Sequence, residues 1–249
     1  MFCEMIDKSY IVDMSGTSEG TQIKYYKDGF WYKEDSYGGE ANAEYLASGI
    51  LSFSNLKKSE YVEYDYGTVN AKTACRSENF LENGEDFITL YRYYELTVGR
   101  KINEDILQYE SPQKRADFVL NFFMKACGLD LSDYFSKIFT LDYLILNEDR
   151  HFNNLGIIST VDGRYKSAPI FDNGKSLLVG NPSVNRKLPI SENVKRVIAR
   201  PFSGSHKVNK ELFGSGFSLN MEGLLGWLTE QEDSYEKSVL TFLLTEEKL

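Results

Sequence analysis

The sequence predicts an α+β protein with a strand-rich first part and a helix-rich remainder. Three observations predict it. Aromatic runs up to Tyr94 alternate as strands do, and Lys27-Asp28-Gly29 joins two of them; Asp-Gly between aromatic runs is a strong hairpin signal. From Ile102 onward the apolar spacing changes to the helical period. The 249 residues are 42% hydrophobic, enough for one domain or two closely packed parts with a real core. No repeat or low-complexity linker interrupts the chain, so the expected division falls at the change of pattern: 1–95 and 96–249.

The elements follow in order. Ser9–Met14 is an apolar run suited to a strand, and Ser15-Gly16-Thr17-Ser18-Glu19-Gly20-Thr21 is a hydroxyl-rich turn. Gln22–Tyr26 and Phe30–Lys33 read as a strand pair around Asp28-Gly29. Gly39–Leu51 reads as a helix with Ala43, Leu46, Ala47, Ile50 and Leu51 on one stripe. Glu60–Tyr66 and Phe87–Tyr94 read as strands, with a polar stretch over Gly67–Asp86 between them. Ser111-Pro112 is a helix start, serine as N-cap and proline in the first turn, and Gly128 is its stop. A second helix restarts near Asp130 and runs through Phe135, Ile138, Phe139, Leu141 and Leu144. Leu155–Ile158 and Tyr165–Ile170 form a strand pair around Asp162-Gly163, and Asn209–Leu249 is helical in pattern. The aromatic stripes belong to the core.

Composition excludes several classes. The formal net charge is −9, which argues against general nucleic-acid binding. Lys187, Lys195, Arg196 and Arg200 form the best basic cluster for an anionic ligand. Cys3, Cys75 and Cys127 are far apart and odd in number, so neither a metal site nor a disulfide framework is expected. No apolar run approaches membrane-spanning length, and the first residues lack a signal-peptide core. A cytoplasmic protein is expected.

Chemistry concentrates in Leu141–Asn154, where an apolar helix end runs into Asn147, Asp149, Arg150, His151, Asn153 and Asn154. Asn154 lies five residues after Asp149, and Asp172, in Phe171-Asp172-Asn173-Gly174, lies eighteen beyond that. A carboxylate, an amide at plus five and a second carboxylate beyond a hairpin is the spacing of phosphoryl-transfer machinery. Asp149 would accept the substrate hydroxyl proton, and Asn154 and Asp172 would hold Mg²⁺. Taken singly, Asp-Arg-His also fits a solvated loop and Asn173-Gly174 a tight turn. Arg150 would tie the loop down or meet a phosphate, and His151 and the loop histidine His206 read as structural. Upstream, glycines admit backbone N–H groups to phosphate oxygens and a lysine supplies countercharge. Lys33 is the first choice for that lysine and Lys24 the second. Glu40 and Glu44 share a helix face, and Glu44, within the apolar-periodic part, is the expected partner of Lys33.

The Asn-x-Asp-Arg-His-x-x-Asn run with its following aspartate resembles the catalytic core of the HipA-like serine/threonine kinases, specifically over Asp142 to Lys175; the Asp-Arg-His-x-x-Asn piece also recurs in phosphatidylinositol kinases. Thr17 to Lys24 is similar to that family's glycine-rich loop. The resemblance implies a two-lobed protein-kinase-like fold, with a β-rich N-lobe over 1–95, a mostly helical C-lobe over 96–249 and the active site between them. It implies ATP and Mg²⁺ as cofactors, with Gly16, Thr17, Ser18, Gly20, Lys24 and Lys33 around the nucleotide. It implies a protein substrate, an antitoxin partner, and self-inhibition by autophosphorylation in the loop, for which Thr17 sits at the matching place. Two departures stand out: fourteen residues precede Ser15, and Asp172 is followed by Asn-Gly rather than Phe-Gly. The competing readings are a lipid or small-molecule kinase, and a catalytically silent nucleotide-binding interaction module.

Overall fold

A computed structural model describes residues 1–12 and 22–247. The chain runs β1 (Phe2–Glu4), β2 (Lys24–Lys27), β3 (Phe30–Glu34), α1 (Glu40–Ser52), β4 (Asp65–Val69), β5 (Lys72–Glu78), β6 (Asp86–Thr89), α2 (Leu90–Val98), α3 (Ile102–Ile106) and α4 (Pro112–Cys127). It continues through α5 (Ser132–Ile145), β7 (Gly156–Ser159), β8 (Tyr165–Ser167), α6 (Ile190–Asn193), α7 (His206–Phe213), α8 (Met221–Glu230) and α9 (Tyr235–Phe242). The first sheet has five strands in the order β1-β4-β5-β3-β2, and the second has three in the order β6-β7-β8. This is the expected α+β arrangement, a sheet-rich N-terminal part followed by a mainly helical remainder.

Local chemistry explains the elements. Asp28 and Gly29 both have positive φ (52° and 84°), which joins β2 to β3 in a register pairing Lys24 with Lys33. α1 lays its alanine- and leucine-rich face on the sheet and on the main core, and Ala43, Leu46, Ala47, Ile50 and Leu51 are all buried. Ser111 caps α4 by accepting from the Lys114 N–H, and Gly128 ends it in the left-handed region. The main core gathers α1, α2, α4, α5 and α7–α9, with Phe135, Phe139, Phe202 and Phe213 in mutual ring contact.

Several sequence expectations change. The strand expected over Phe87–Tyr94 ends at Thr89, whose hydroxyl accepts from the Arg92 N–H and starts α2. The N–H groups of Leu90 and Tyr91 donate to the carbonyls of Leu155 and Phe152 (2.8 and 3.1 Å), which satisfies donors a helix start leaves open. The polar stretch 67–86 holds the end of β4 and all of β5, joined by Asn70 and Ala71 at φ of 51° and 64°. Glu60–Tyr66 begins as a 3-10 turn over Lys58–Glu60, and the pairing strand starts at Asp65. Lys8–Tyr10 is likewise a 3-10 turn rather than the start of a strand. Among the described residues no helix is long and apolar enough to cross a membrane.

Helix α1 meets α8 where Gly49 faces Trp227, and a Cβ at Gly49 would lie 2.1 Å from the indole. Gly49→Ala is expected to cost about 1–3 kcal/mol by overpacking. Gly226→Ala, in open space on α8, is expected to be neutral or to stabilise by about 0.5–1 kcal/mol through helix propensity. Urea unfolding of both variants checks the pair.

Candidate active site

The Asp-Arg-His loop is built by its own side chains. α5 ends as Leu146 enters the left-handed region (φ 54°), and the Asn147 N–H turns back to the Asp142 carbonyl at 3.2 Å. The Asn147 side-chain oxygen accepts from the Asp149 N–H at 3.0 Å, a local turn typical of asparagine. The Asp149 carbonyl accepts from the His151 N–H and from the Asn154 amide, both at 2.9 Å. Every backbone group of Asp149 is thus held, while its side chain remains 40% exposed. His151 Nε2 lies 3.7 Å from its carboxylate, beyond hydrogen-bond range.

Arg150 is spent on the protein rather than on a ligand. Its side chain is fully buried, and Nε and Nη2 both donate to Asp142 at 3.0 Å. Nη2 also donates to the Asn173 side-chain oxygen (2.6 Å), and Nη1 donates to the carbonyls of Phe171 (2.8 Å) and Asn154 (3.2 Å). One planar fork therefore joins α5, the Asp-Arg-His loop and the Asp172 turn. Sequence reasoning left open whether Arg150 ties the loop down or meets a phosphate, and the geometry decides for the tie.

A second cluster brings residues from three elements together. Lys33 Nζ in β3 lies 2.8 Å from Glu44 Oε1 on α1 and 3.0 Å from Asp172 Oδ1. The other Glu44 oxygen accepts from the Asn173 N–H at 2.7 Å, so one carboxylate bridges the lysine and the turn. Burial acts to lower the Lys33 pKa, but Asp172 and Glu44 outweigh it and hold it well above its ordinary value. Burial acts to raise Asp172, and Lys33 and Lys24 outweigh it, holding that carboxyl below the usual range. Glu44 is pushed up by burial against the pull of Lys33.

The alternatives sort by these contacts. Glu40 faces away from Lys33; its Oε1 accepts from the N–H groups of Ser36 and Tyr37 at the start of α1. Lys24 stands opposite Lys33 in the hairpin register, so both share a face. Burial pushes the Lys24 ammonium down, opposed by Asp172. Asn153 accepts from the Thr89 hydroxyl at 3.3 Å, whereas the Asn154 amide nitrogen is spent on Asp149. That hydrogen bond assigns the Asn154 oxygen to the other side. Gly16, Thr17, Ser18 and Gly20 lie outside the described residues.

The donor set fits a hard divalent cation. Asp172 is held anionic, and Asn154 offers a neutral oxygen, the ligand type Mg²⁺ takes when waters and phosphates complete its shell. Among the described residues no cluster of three His, Cys, Asp or Glu side chains forms a metal site by itself.

Two supporting residues escaped the sequence reading. Tyr64 lies beneath Lys33, its hydroxyl 3.4 Å from Nζ. His206 is no loop histidine: it is buried in the first turn of α7, with Nε2 2.8 Å from the Asn147 carbonyl. Its partner is a backbone group 59 residues away, for which sequence carries no signal.

A sheet and one long helix, a mainly helical remainder and a loop returning to that sheet define a kinase-like α+β fold. The proinflammatory kinase CtkA of Helicobacter pylori matches with a TM-score of 0.67 at 18% identity, over 98% of this chain and 91% of that one. HipA of Shewanella oneidensis MR-1, solved with HipB and its operator DNA, matches with a TM-score of 0.50 at 12% identity, over 96% of this chain and 64% of that one. No family model and no curated protein matches the sequence. The likeness to HipA-like kinases, first visible in one short motif, thus extends to the fold of nearly the whole chain.

Removing Arg150 leaves Asp142 buried and unpaired. Arg150→Ala is expected to cost about 3–5 kcal/mol in urea unfolding at neutral pH; a loss below about 1 kcal/mol, the size of a surface pair, would contradict the role. The Lys33 cluster also predicts a pH dependence. Lys33 is raised in the folded state, so its stabilisation is present below its unfolded pKa of about 10.4 and is lost as pH rises through the folded value. Asp172 is depressed, so its share is present above its unfolded value of about 3.9 and is lost as pH falls further. Lys33→Met should flatten the alkaline limb of the stability profile and Asp172→Asn the acid limb.

Proposed function

We propose that this chain is an ATP- and Mg²⁺-dependent kinase of HipA-like type that phosphorylates serine or threonine hydroxyls of a protein. The observation that carries this reading is the Lys33–Glu44–Asp172 cluster, residues from β3, α1 and the turn after β8 meeting within 3.0 Å contacts beside the Asp149 loop. Residues 1–95 act as an N-lobe and 96–249 as a C-lobe, with the nucleotide in the cleft between them. Lys33, oriented by Glu44, meets the ATP phosphates with Lys24 alongside, and Gly16, Thr17, Ser18 and Gly20 are the further nucleotide-binding residues of this proposal. Asn154 and Asp172 would hold Mg²⁺, which would neutralise charge on the phosphates when bound.

Asp149 accepts a hydrogen bond from the substrate hydroxyl and takes its proton as the oxygen attacks the γ-phosphorus. The bond from that phosphorus to the β–γ bridging oxygen breaks, and ADP leaves with the electron pair. Holding the Asp149 backbone at three points restricts its carboxylate, and positioning is most of what such a transfer requires. Thr17 is the proposed site of self-inhibiting autophosphorylation. HipA was solved with HipB; a comparable antitoxin is the proposed partner, and a cytoplasmic setting follows from this role.

The test is incubation with γ-labelled ATP and Mg²⁺ together with a mixed Ser/Thr protein acceptor, beside Asp149→Asn. The expected result is label on serine or threonine, reduced about 10²–10⁴-fold in the variant, and phosphate on Thr17 by mass spectrometry. Label only on a lipid headgroup would favour the phosphoinositide-kinase-type reading. No transfer despite ATP binding would favour the silent module.

A further inference from the structure

The basic segment after Asp172 has no part in the chemistry so far. Between Gly174 and Ser205 stand six lysines and arginines and one acid, Glu192, in a chain whose formal net charge is −9. Some of that charge is compensated. Arg186 lies 3.5 Å from Glu236, and Lys195 lies 2.9 Å from Glu192. Lys187, Arg196 and Arg200 are exposed and have no carboxylate within ion-pair distance among the described residues. The segment is folded on itself: buried Asn193 accepts from the Asn185 N–H (2.9 Å) and donates to its carbonyl (3.0 Å), which gathers the residues around Lys187 against those around Lys195.

This segment is fastened beside Asp149. The preceding residue, Glu148, accepts from the Ile198 N–H at 3.2 Å and from the Asn181 side-chain amide at 2.8 Å. Ile198 is itself 64% exposed, an apolar side chain held open next to the loop and flanked by Arg196 and Arg200. A surface pairing an exposed aliphatic residue with Arg196 and Arg200, which feel Glu192 and Glu148 only from beyond ion-pair distance, suits a polypeptide that offers an apolar side chain between carboxylates.

Resting on the kinase reading, we propose that residues 181–200 select the acceptor: an acidic protein segment in which the target serine or threonine is flanked by Asp or Glu and followed by an apolar residue. Ile198 packs on the apolar residue, and Lys187, Arg196 and Arg200 meet the carboxylates. Exposed pairs of this kind act through encounter rate and are screened by salt.

The test compares acidic, neutral and basic Ser-containing peptides of equal length, scored by phosphate transfer and separately by fluorescence anisotropy of binding to the full chain. The expected result is a preference for the acidic peptide of about tenfold at low salt, the size a few exposed ion pairs supply, fading as salt rises. Lys187→Glu/Arg200→Glu should reverse the ratio toward the basic peptide, and Arg196→Glu alone should move it the same way. Ile198→Ser should lower the preference for an apolar flanking residue. Transfer without acidic preference would overturn the docking surface and leave the kinase reading standing. Acidic binding without transfer to any acceptor would overturn the kinase reading and leave the surface. Equal displacement of the peptide by duplex DNA or by phosphatidylserine vesicles would overturn the assignment to an acidic protein.

Discussion

The guanidinium of Arg150 has no contact with water and is bound on every side. Its partners are Asp142 at the end of α5, the carbonyls of Asn154 and Phe171, and the Asn173 side chain. Burying such a charge is costly unless it is paired and hydrogen-bonded throughout. That condition makes the arrangement all-or-none, because displacing the loop or the turn would strand either the guanidinium or Asp142. The positions of Asp149, Asn154 and Asp172 follow from it, since all three lie on segments that Arg150 grips or adjoins.

A second buried charge cluster fastens this unit to the sheet. Lys33 reaches from β3 to Glu44 on α1 and to Asp172 on the turn, and Glu44 also holds the Asn173 N–H. Asn173 is therefore shared: its side chain belongs to the Arg150 network and its backbone to the Lys33 network. Asp172 is shared in the same way, its carbonyl 3.4 Å from Arg150 Nη1 and its carboxylate on Lys33, so these two residues couple the geometry of the sheet to that of the Asp-Arg-His loop. His206 adds a brace from α7 at the Asn147 carbonyl, so the loop is held from below as well.

Much of the site was legible because its signals are local. Asp149 and Asn154 stand five apart in one loop, and Phe171-Asp172-Asn173-Gly174 is contiguous. Glu44 was legible through the helical stripe of α1, and the pairing of Lys24 with Lys33 through the Asp28-Gly29 hairpin. The failures have physical causes. The hairpin between β4 and β5 turns on Asn70-Ala71, without the glycine that usually marks positive φ. Thr89 stops a strand at a point where aromatic alternation continues, because tertiary bonds from Leu155 and Phe152 complete the start of α2. β1 pairs in parallel with β4, more than sixty residues away, and no local pattern encodes that. Tyr64 and His206 act through distant partners and look ordinary in sequence.

In the proposed function, Asp172, held anionic beside Lys33, serves a metal–nucleotide complex. Isothermal titration of the wild type and Asp172→Asn with ATP, in Mg²⁺ and in EDTA, tests it most directly. Mg²⁺ is expected to strengthen ATP binding to the wild type and to have no comparable effect on the variant. An equal effect of Mg²⁺ on both proteins, or no binding of ATP to either, would contradict it.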